Sequence, residues 1–163
     1  MPTAENLSER EIVVGVISDT HGLLRPEAVA ALRGSDLIIH AGDVGNPDVI
    51  KELTGIAPTR VVRGNVDKGD WAAMLPMFEL VDVGERLLYV LHEISQLDIE
   101  PAAAGFAAVV FGHSHQPVIE MREGVLFLNP GSAGPRRFKL PITVARVGIS
   151  GARMRPEIVE LQV

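Results

Sequence analysis

Seven side chains in this sequence share one chemistry: Asp19, His21, Asp43, Asn65, His92, His113 and His115. All offer oxygen or nitrogen to a cation, and none is a thiolate, because the chain has no cysteine. Asp oxygen and His nitrogen are the donors that hold Mn, Fe and Zn. Asp19-x-His21 and His113-x-His115 each place two donors two positions apart, where an extended or tightly turned backbone aims both to one side. Glycine directly precedes Asp43, Asn65 and His113, which admits close backbone approach. Each donor alone has an ordinary explanation. Asp19 could close an Asx-turn at a strand end, Asn65 could be a turn residue, His92 a satisfied buried histidine, and the late pair a solvated loop. Together they are harder to dismiss: the chain has 5 histidines, four fall in this set, and the fifth, His40, sits three residues before Asp43. The set reads as a metal centre.

The number of donors argues for two ions. A single Zn takes three or four protein ligands, so seven is too many unless ions share, and the Asp43 carboxylate can bridge. Two divalent ions outweigh the charges of Asp19 and Asp43, and the centre stays positive even with a bound hydroxide. A positive, oxygen-seeking pair suits a phosphate ester: ions about 3.5–4 Å apart clamp phosphoryl oxygens and acidify a bridging water.

The elements that must position these donors are legible as apolar runs. Ile12 to Ile17 is β-branched and continuous, as in a strand buried on both faces, and it ends in Ser18-Asp19-Thr20-His21-Gly22. Leu37 to Ile39 and Arg60 to Arg63 are the next strands, delivering Asp43 and Asn65. Between them, Pro26 to Arg33 and Asn46-Pro47-Asp48 to Thr54 carry helix start and stop signals. This βαβαβ opening predicts parallel strands with right-handed crossovers. Phe78 to Val83 and Arg86 to Leu91 predict a hairpin at Gly84-Glu85, the second strand running into His92. Ile94 to Gly105 is irregular, with at most a helical turn. Ala107 to Phe111 leads into His113 and His115. Val118 to Met121 pairs with Val125 to Leu128, Asn129-Pro130-Gly131-Ser132 is a loop, and Ile142 to Ile149 with Met154 to Leu161 closes the chain as a hairpin. Sites in open α/β sheets form beyond the carboxyl ends of strands. Five such ends pool the seven donors.

At 163 residues with no linker or repeat, the chain predicts one domain, 1–163, with a polar tail over 1–10. The hydrophobic share of 47% and charged share of 22% are those of a globular protein. Residues 1–10 do not resemble a signal peptide and no apolar run has transmembrane length, so a cytoplasmic protein with no membrane partner is expected. A net charge of -6 offers no basic footprint for nucleic acid. Self-association is compatible with the sequence.

In order and content, Asp19-x-His21, Gly42-Asp43, Gly64-Asn65, His92 and Gly112-His113-x-His115 resemble the calcineurin-like metallophosphoesterases. The short length, Gly64-Asn65-x-Asp67 and Asn129-Pro130-Gly131-Ser132 resemble the small YfcE-like phosphodiesterases. The resemblance covers about residues 12 to 137. It implies an α/β fold of two mixed β-sheets packed as a sandwich with flanking helices. It also implies a dimetal site, often Mn²⁺, with Fe, Zn or Ni as alternatives. Carried over by position, one metal takes Asp19, His21, Asp43 and His115, and the other takes Asp43, Asn65, His92 and His113. Asp43 and Asn65 then carry catalysis. The implied reaction is hydrolysis of a small phosphodiester or phosphomonoester by a metal-bridging hydroxide.

Two positions depart from the family. Val66 stands where many members have a histidine that protonates the leaving group, although the small subgroup commonly lacks it. Glu93 follows His92 where glycine is usual, and is expected to point away from the second metal. His40 is expected to orient Asp43 from behind. Arg136, with Arg137, is a candidate phosphate contact against the plainer reading of a solvated basic pair. Trp71 and Met74 are expected on a short packing helix. A metal-dependent nuclease is the alternative within the same chemistry, disfavoured by the acidic balance and the lack of interleaved basic and aromatic residues. A non-catalytic scaffold, such as the retromer subunit that shares the fold with a degraded site, is disfavoured by the retention of all seven donor types.

Overall fold

The computed structural model describes residues 10–163, so most of the expected polar tail lies outside the described residues. β1 (Ile12–Ile17) is buried from Val14 onward. It pairs in parallel with β2 (Leu37–His40), which pairs in parallel with β3 (Thr59–Val61). The crossovers are α1 (Pro26–Leu32) and α2 (Pro47–Thr54), each opened by its proline. At α2 the Asn46 side chain accepts the Asp48 N–H at 2.9 Å, as an N-cap should. Ala28, Leu32, Val49 and Leu53 pack these helices on Ile17 and Ile38.

β3 is shorter than the expected Arg60 to Arg63 because the chain leaves the sheet there. The Arg63 N–H turns to the Pro76 carbonyl at 2.8 Å, which throws Gly64 and Asn65 beyond the strand end. On the other side of β1, β9 (Thr143–Ser150) and β10 (Arg153–Glu160) add antiparallel, giving the order β10-β9-β1-β2-β3.

The second sheet holds β4 (Phe78–Val83), β5 (Arg86–Leu91), β6 (Ala108–Val110), β7 (Val118–Arg122) and β8 (Val125–Asn129), ordered β4-β5-β6-β8-β7. Both expected hairpins are present, and β5, β6 and β8 run parallel. The sheets bury one core between them, with Val14, Val16 and Ile39 facing Val90, Val110, Leu126 and Leu128. Each such side chain contributes roughly 1.5–3 kcal/mol on full burial, so this layer is what holds the strand ends at fixed heights.

Helices flank the first sheet. The outer face of the second is covered by the segment around the 3₁₀ turn Ile94–Gln96, where Ile94, Leu97, Ile99 and Phe106 pack on Tyr89, Leu91 and Phe127. Trp71 lies on the short α3 (Asp70–Ala73), partly buried, but Met74 falls at its end and is 85% exposed. The expected packing role holds for Trp71 alone. No helix among the described residues is long and apolar enough to cross a membrane.

Candidate metal centre

All seven donors predicted from the sequence meet at one edge of the sandwich. The segments after β1, β2, β3, β5 and β6 supply them in turn. Asp19, His21 and His115 form one group whose donor atoms lie within 4.8 Å of one another, and Asp43, His92 and His113 form a second. Asp43 Oδ2 links the groups, lying 3.2 Å from His92 Nε2 and 3.7 Å from His21 Nε2. Asp43 Oδ1 is already engaged, accepting the Val66 N–H at 3.0 Å. Asp43 would therefore serve both groups with its Oδ1 steadied by the Val66 amide. Asn65 belongs to the second group, its Oδ1 lying 2.9 Å from His92 Nε2 and 3.2 Å from His113 Nδ1.

The backbone carries a signal that the sequence did not. Asp19, His21, Asp43, His113 and His115 all have positive φ, and the only other described non-glycine residues to do so are Glu123 and Phe138. Such conformations cost energy for residues with a Cβ and gather where a site requires them. Asp19 and His21 therefore reach the same place through a left-handed turn.

The orientation of individual atoms fits a cation. Asp19 Oδ2 is satisfied, accepting the Ser18 hydroxyl at 2.7 Å and the His113 N–H at 3.1 Å. Its Oδ1 is fully buried with no hydrogen-bond partner. That oxygen faces His115 Nε2 at 3.3 Å and the Nε2 atoms of His21 and His92 at 3.9 Å. A buried carboxylate oxygen without a partner is costly; a cation among these imidazoles removes the cost. His92 Nδ1–H donates to the Ala41 carbonyl at 2.7 Å, which turns Nε2 inward toward Asp43 and Asn65. The residues present fit divalent metal ions.

Charge is correspondingly shifted. Burial pushes the Asp43 carboxyl up, but the hydrogen bond from His92, the Val66 amide and the positive pull of His92 and His21 outweigh it and hold it below the usual carboxylate range. Burial pushes His92 down, and the Asp43 hydrogen bond with the charges of Asp19 and Asp43 outweighs that in turn, so its pKa is raised.

Close approach and a few buried polar groups tie the loops together. A Cβ on Gly64 would collide with the Asp43 backbone N and Oδ1, and one on Gly112 with Ser18 Oγ. Asp67, buried and given no role from sequence, accepts N–H groups from Val44, Gly45 and Gly64 at 3.2, 3.0 and 2.9 Å, joining the β2 and β3 ends. Its signal was the Asn65-x-Asp67 spacing beside a glycine. Asn129 Nδ2 donates to the Gly112 carbonyl at 3.0 Å and to Ser114 Oγ at 3.1 Å, and Ser132 Oγ donates to the Asp19 carbonyl at 3.1 Å. The Asn129 to Ser132 loop thus braces the donor segments from behind.

His40 makes no hydrogen bond to the Asp43 side chain among the described residues: its Nδ1 accepts the Gly42 N–H at 3.1 Å and its Nε2 meets Thr20 Oγ1 at 3.0 Å. The Thr20 hydroxyl donates to the Val44 carbonyl at 2.8 Å, so His40 must be the donor in that pair and is the neutral Nε2–H tautomer. Burial accordingly pushes it down to about 4, against the opposing pull of Asp19, Asp67 and Asp43. Glu93 lies beside the second group and meets the outer nitrogen of His113. Its Oε1 lies 3.6 Å from His113 Nε2. Arg136 folds back on its own loop, donating to the Leu140 carbonyl at 3.2 Å, and makes no hydrogen bond to the seven donors among the described residues.

Comparison with known proteins points the same way. The chain is 34% identical over 160 residues, 91% of its length and 92% of the relative's, to a probable metallophosphoesterase of Methanothermobacter thermautotrophicus. It is 26% identical over 137 residues to Phosphodiesterase MJ0936 of Methanocaldococcus jannaschii, covering 72% of this chain and 82% of that one. Vacuolar Protein Sorting 29 of Cryptosporidium parvum shares the fold, with a TM-score of 0.74 at 17% identity over 94% of this chain and 99% of that one. Residues 12–152 match the calcineurin-like phosphoesterase superfamily domain, and the chain belongs to that family.

Proposed function

We propose that this protein is a dimetal-dependent phosphodiesterase acting on small phosphate esters. One observation carries the reading: two groups of donors are linked by Asp43 Oδ2, with a buried, unpartnered Asp19 oxygen facing three imidazoles. A pair of bound divalent cations would supply Lewis-acid polarisation of the phosphoryl group and acidify a water. Asp43 would hold both ions, its Oδ1 steadied by the Val66 amide. Asn65, exposed at the mouth, has its amide oxygen on the His92 and His113 nitrogens, which leaves its NH₂ free to donate to a phosphoryl oxygen. The similarity to a relative named a phosphodiesterase supports the diester preference.

No histidine is free to protonate the leaving group. Val66 stands exposed where such an acid would be, and His40 is fully buried and neutral. Substrates with good leaving groups are therefore favoured. The test is hydrolysis of bis-p-nitrophenyl phosphate by metal-stripped protein with and without added Mn²⁺, alongside Asp43→Ala and an alkyl diester. The reading requires Mn²⁺-dependent turnover, loss of at least ~100-fold in Asp43→Ala, and a clear preference for the aryl ester. Metal-independent turnover, or full activity in Asp43→Ala, would exclude it.

A further inference from the structure

We infer that Glu93 is a positioning residue for the second cation, holding the His113 ring so that Nδ1 faces the metal. The inference rests on the dimetal reading and concerns a residue outside the seven donors.

The two histidines of the second group have opposite ring orientations. His92 turns Nε2 inward and donates Nδ1–H to the Ala41 carbonyl at 2.7 Å. His113 turns Nδ1 inward, 3.2 Å from the same Asn65 oxygen that His92 meets at 2.9 Å. Its Nε2 is left on the outer side. A ligating imidazole is held in the correct tautomer by an acceptor on its other nitrogen, and that acceptor also raises its basicity. For His92 the acceptor is a backbone carbonyl. For His113 the only acceptor to meet Nε2 among the described residues is Glu93 Oε1, at 3.6 Å. That distance is within ion-pair reach and slightly beyond a hydrogen bond, so a small rotation of either partly exposed side chain closes it.

Three further features fit. Glu93 directly follows His92, so the residue that orients one ligand is fastened to the other. Its carbonyl accepts the Gln96 N–H at 3.0 Å, anchoring it at the head of the 3₁₀ turn. The His92 and His113 rings meet edge to face with centroids 5.2 Å apart, so His92 packs against one side of the ring that Glu93 meets at Nε2. Without the carboxylate, His113, whose side chain is 43% exposed, has no acceptor among the described residues to favour its Nε2–H tautomer before a cation binds.

The test uses the full chain stripped of metal and titrated with Mn²⁺ by calorimetry, for wild type, Glu93→Ala and Glu93→Gln. Wild type takes up two ions. Glu93→Ala weakens one of the two sites by about 10–100-fold and leaves the other unchanged. Glu93→Gln, nearly isosteric and still an acceptor, weakens the same site less. Imidazole ¹⁵N spectra of the metal-free protein then show His113 enriched in the Nε2–H tautomer in wild type and mixed in Glu93→Ala. Circular dichroism verifies folding, and if Glu93→Ala does not fold, Glu93→Gln decides by the same readouts. Two ions bound with unchanged affinities and an unchanged His113 spectrum in the folded variants would overturn the role of Glu93 while the dimetal reading stood. Failure of wild type to bind two ions would overturn the dimetal reading itself.

Discussion

At the scale of single residues, the site separates groups that face a cation from groups that keep them facing it. Asp67 is of the second kind. It is 1% exposed and satisfies three backbone N–H groups from two loops. Asp67→Ala leaves those donors buried without an acceptor, and each such group costs about 1–3 kcal/mol. Because the three are neighbours the losses do not add fully. Urea denaturation is expected to show about 2–4 kcal/mol lost, with metal uptake weakened as well. Asp19→Asn behaves differently. The amide retains one oxygen but cannot neutralise a cation, so the prediction is loss of an ion at the Asp19, His21 and His115 group with melting temperature in the metal-free protein equal to or above wild type. Replacing a buried charged oxygen that has no hydrogen-bond partner explains that sign. Differential scanning calorimetry of the stripped proteins checks it.

Secondary-structure elements bring the donors in as strand ends. Gly112 lies where β6 leaves the second sheet and passes close to the β1 end of the first, so it is where the two sheets' contributions meet. Gly112→Ala drives a methyl into Ser18 Oγ, the group that hydrogen-bonds Asp19. Activity and uptake of at least one ion should fall by at least ~10-fold while far-UV circular dichroism stays that of wild type, since a 1 Å displacement of a reacting geometry alone can cost about 10²-fold. Much of this arrangement was legible in the sequence. Runs such as Ile12 to Ile17 and Ala107 to Phe111 announce strands, and each run leads within a few residues to a donor pair. Glycines at 42, 64 and 112 announce close approach. The left-handed backbone at Asp19, Asp43 and His115 was not legible, because aspartate and histidine do not declare a positive φ as glycine does. Neither were the orientations of Glu93 and His40. Side-chain direction at a loop depends on which neighbour offers a partner, and those neighbours are contributed by Thr20, Gly42 and His113 from other strands.

For the molecule as a whole, the sandwich buries a titratable group next to the site, and stability depends on pH in consequence. His40 is fully buried and pushed down to about 4 from the ordinary 6.5. Between those values the unfolded chain binds a proton that the folded chain does not, so stability rises with pH across the window and is lost as pH falls. For metal-free protein this group alone should cost about 2 kcal/mol between pH 7 and pH 5, measured by urea denaturation. His40→Gln should show a smaller drop over the same interval. The donors scattered from position 19 to position 115 become one centre only because the two sheets hold five strand ends at a common edge. Anomalous diffraction at the manganese edge from crystals grown with Mn²⁺ tests that most directly. The account predicts two peaks, one enclosed by Asp19, His21 and His115 and the other by Asn65, His92 and His113, with Asp43 Oδ2 between them. A single peak, or none at these residues, would contradict it.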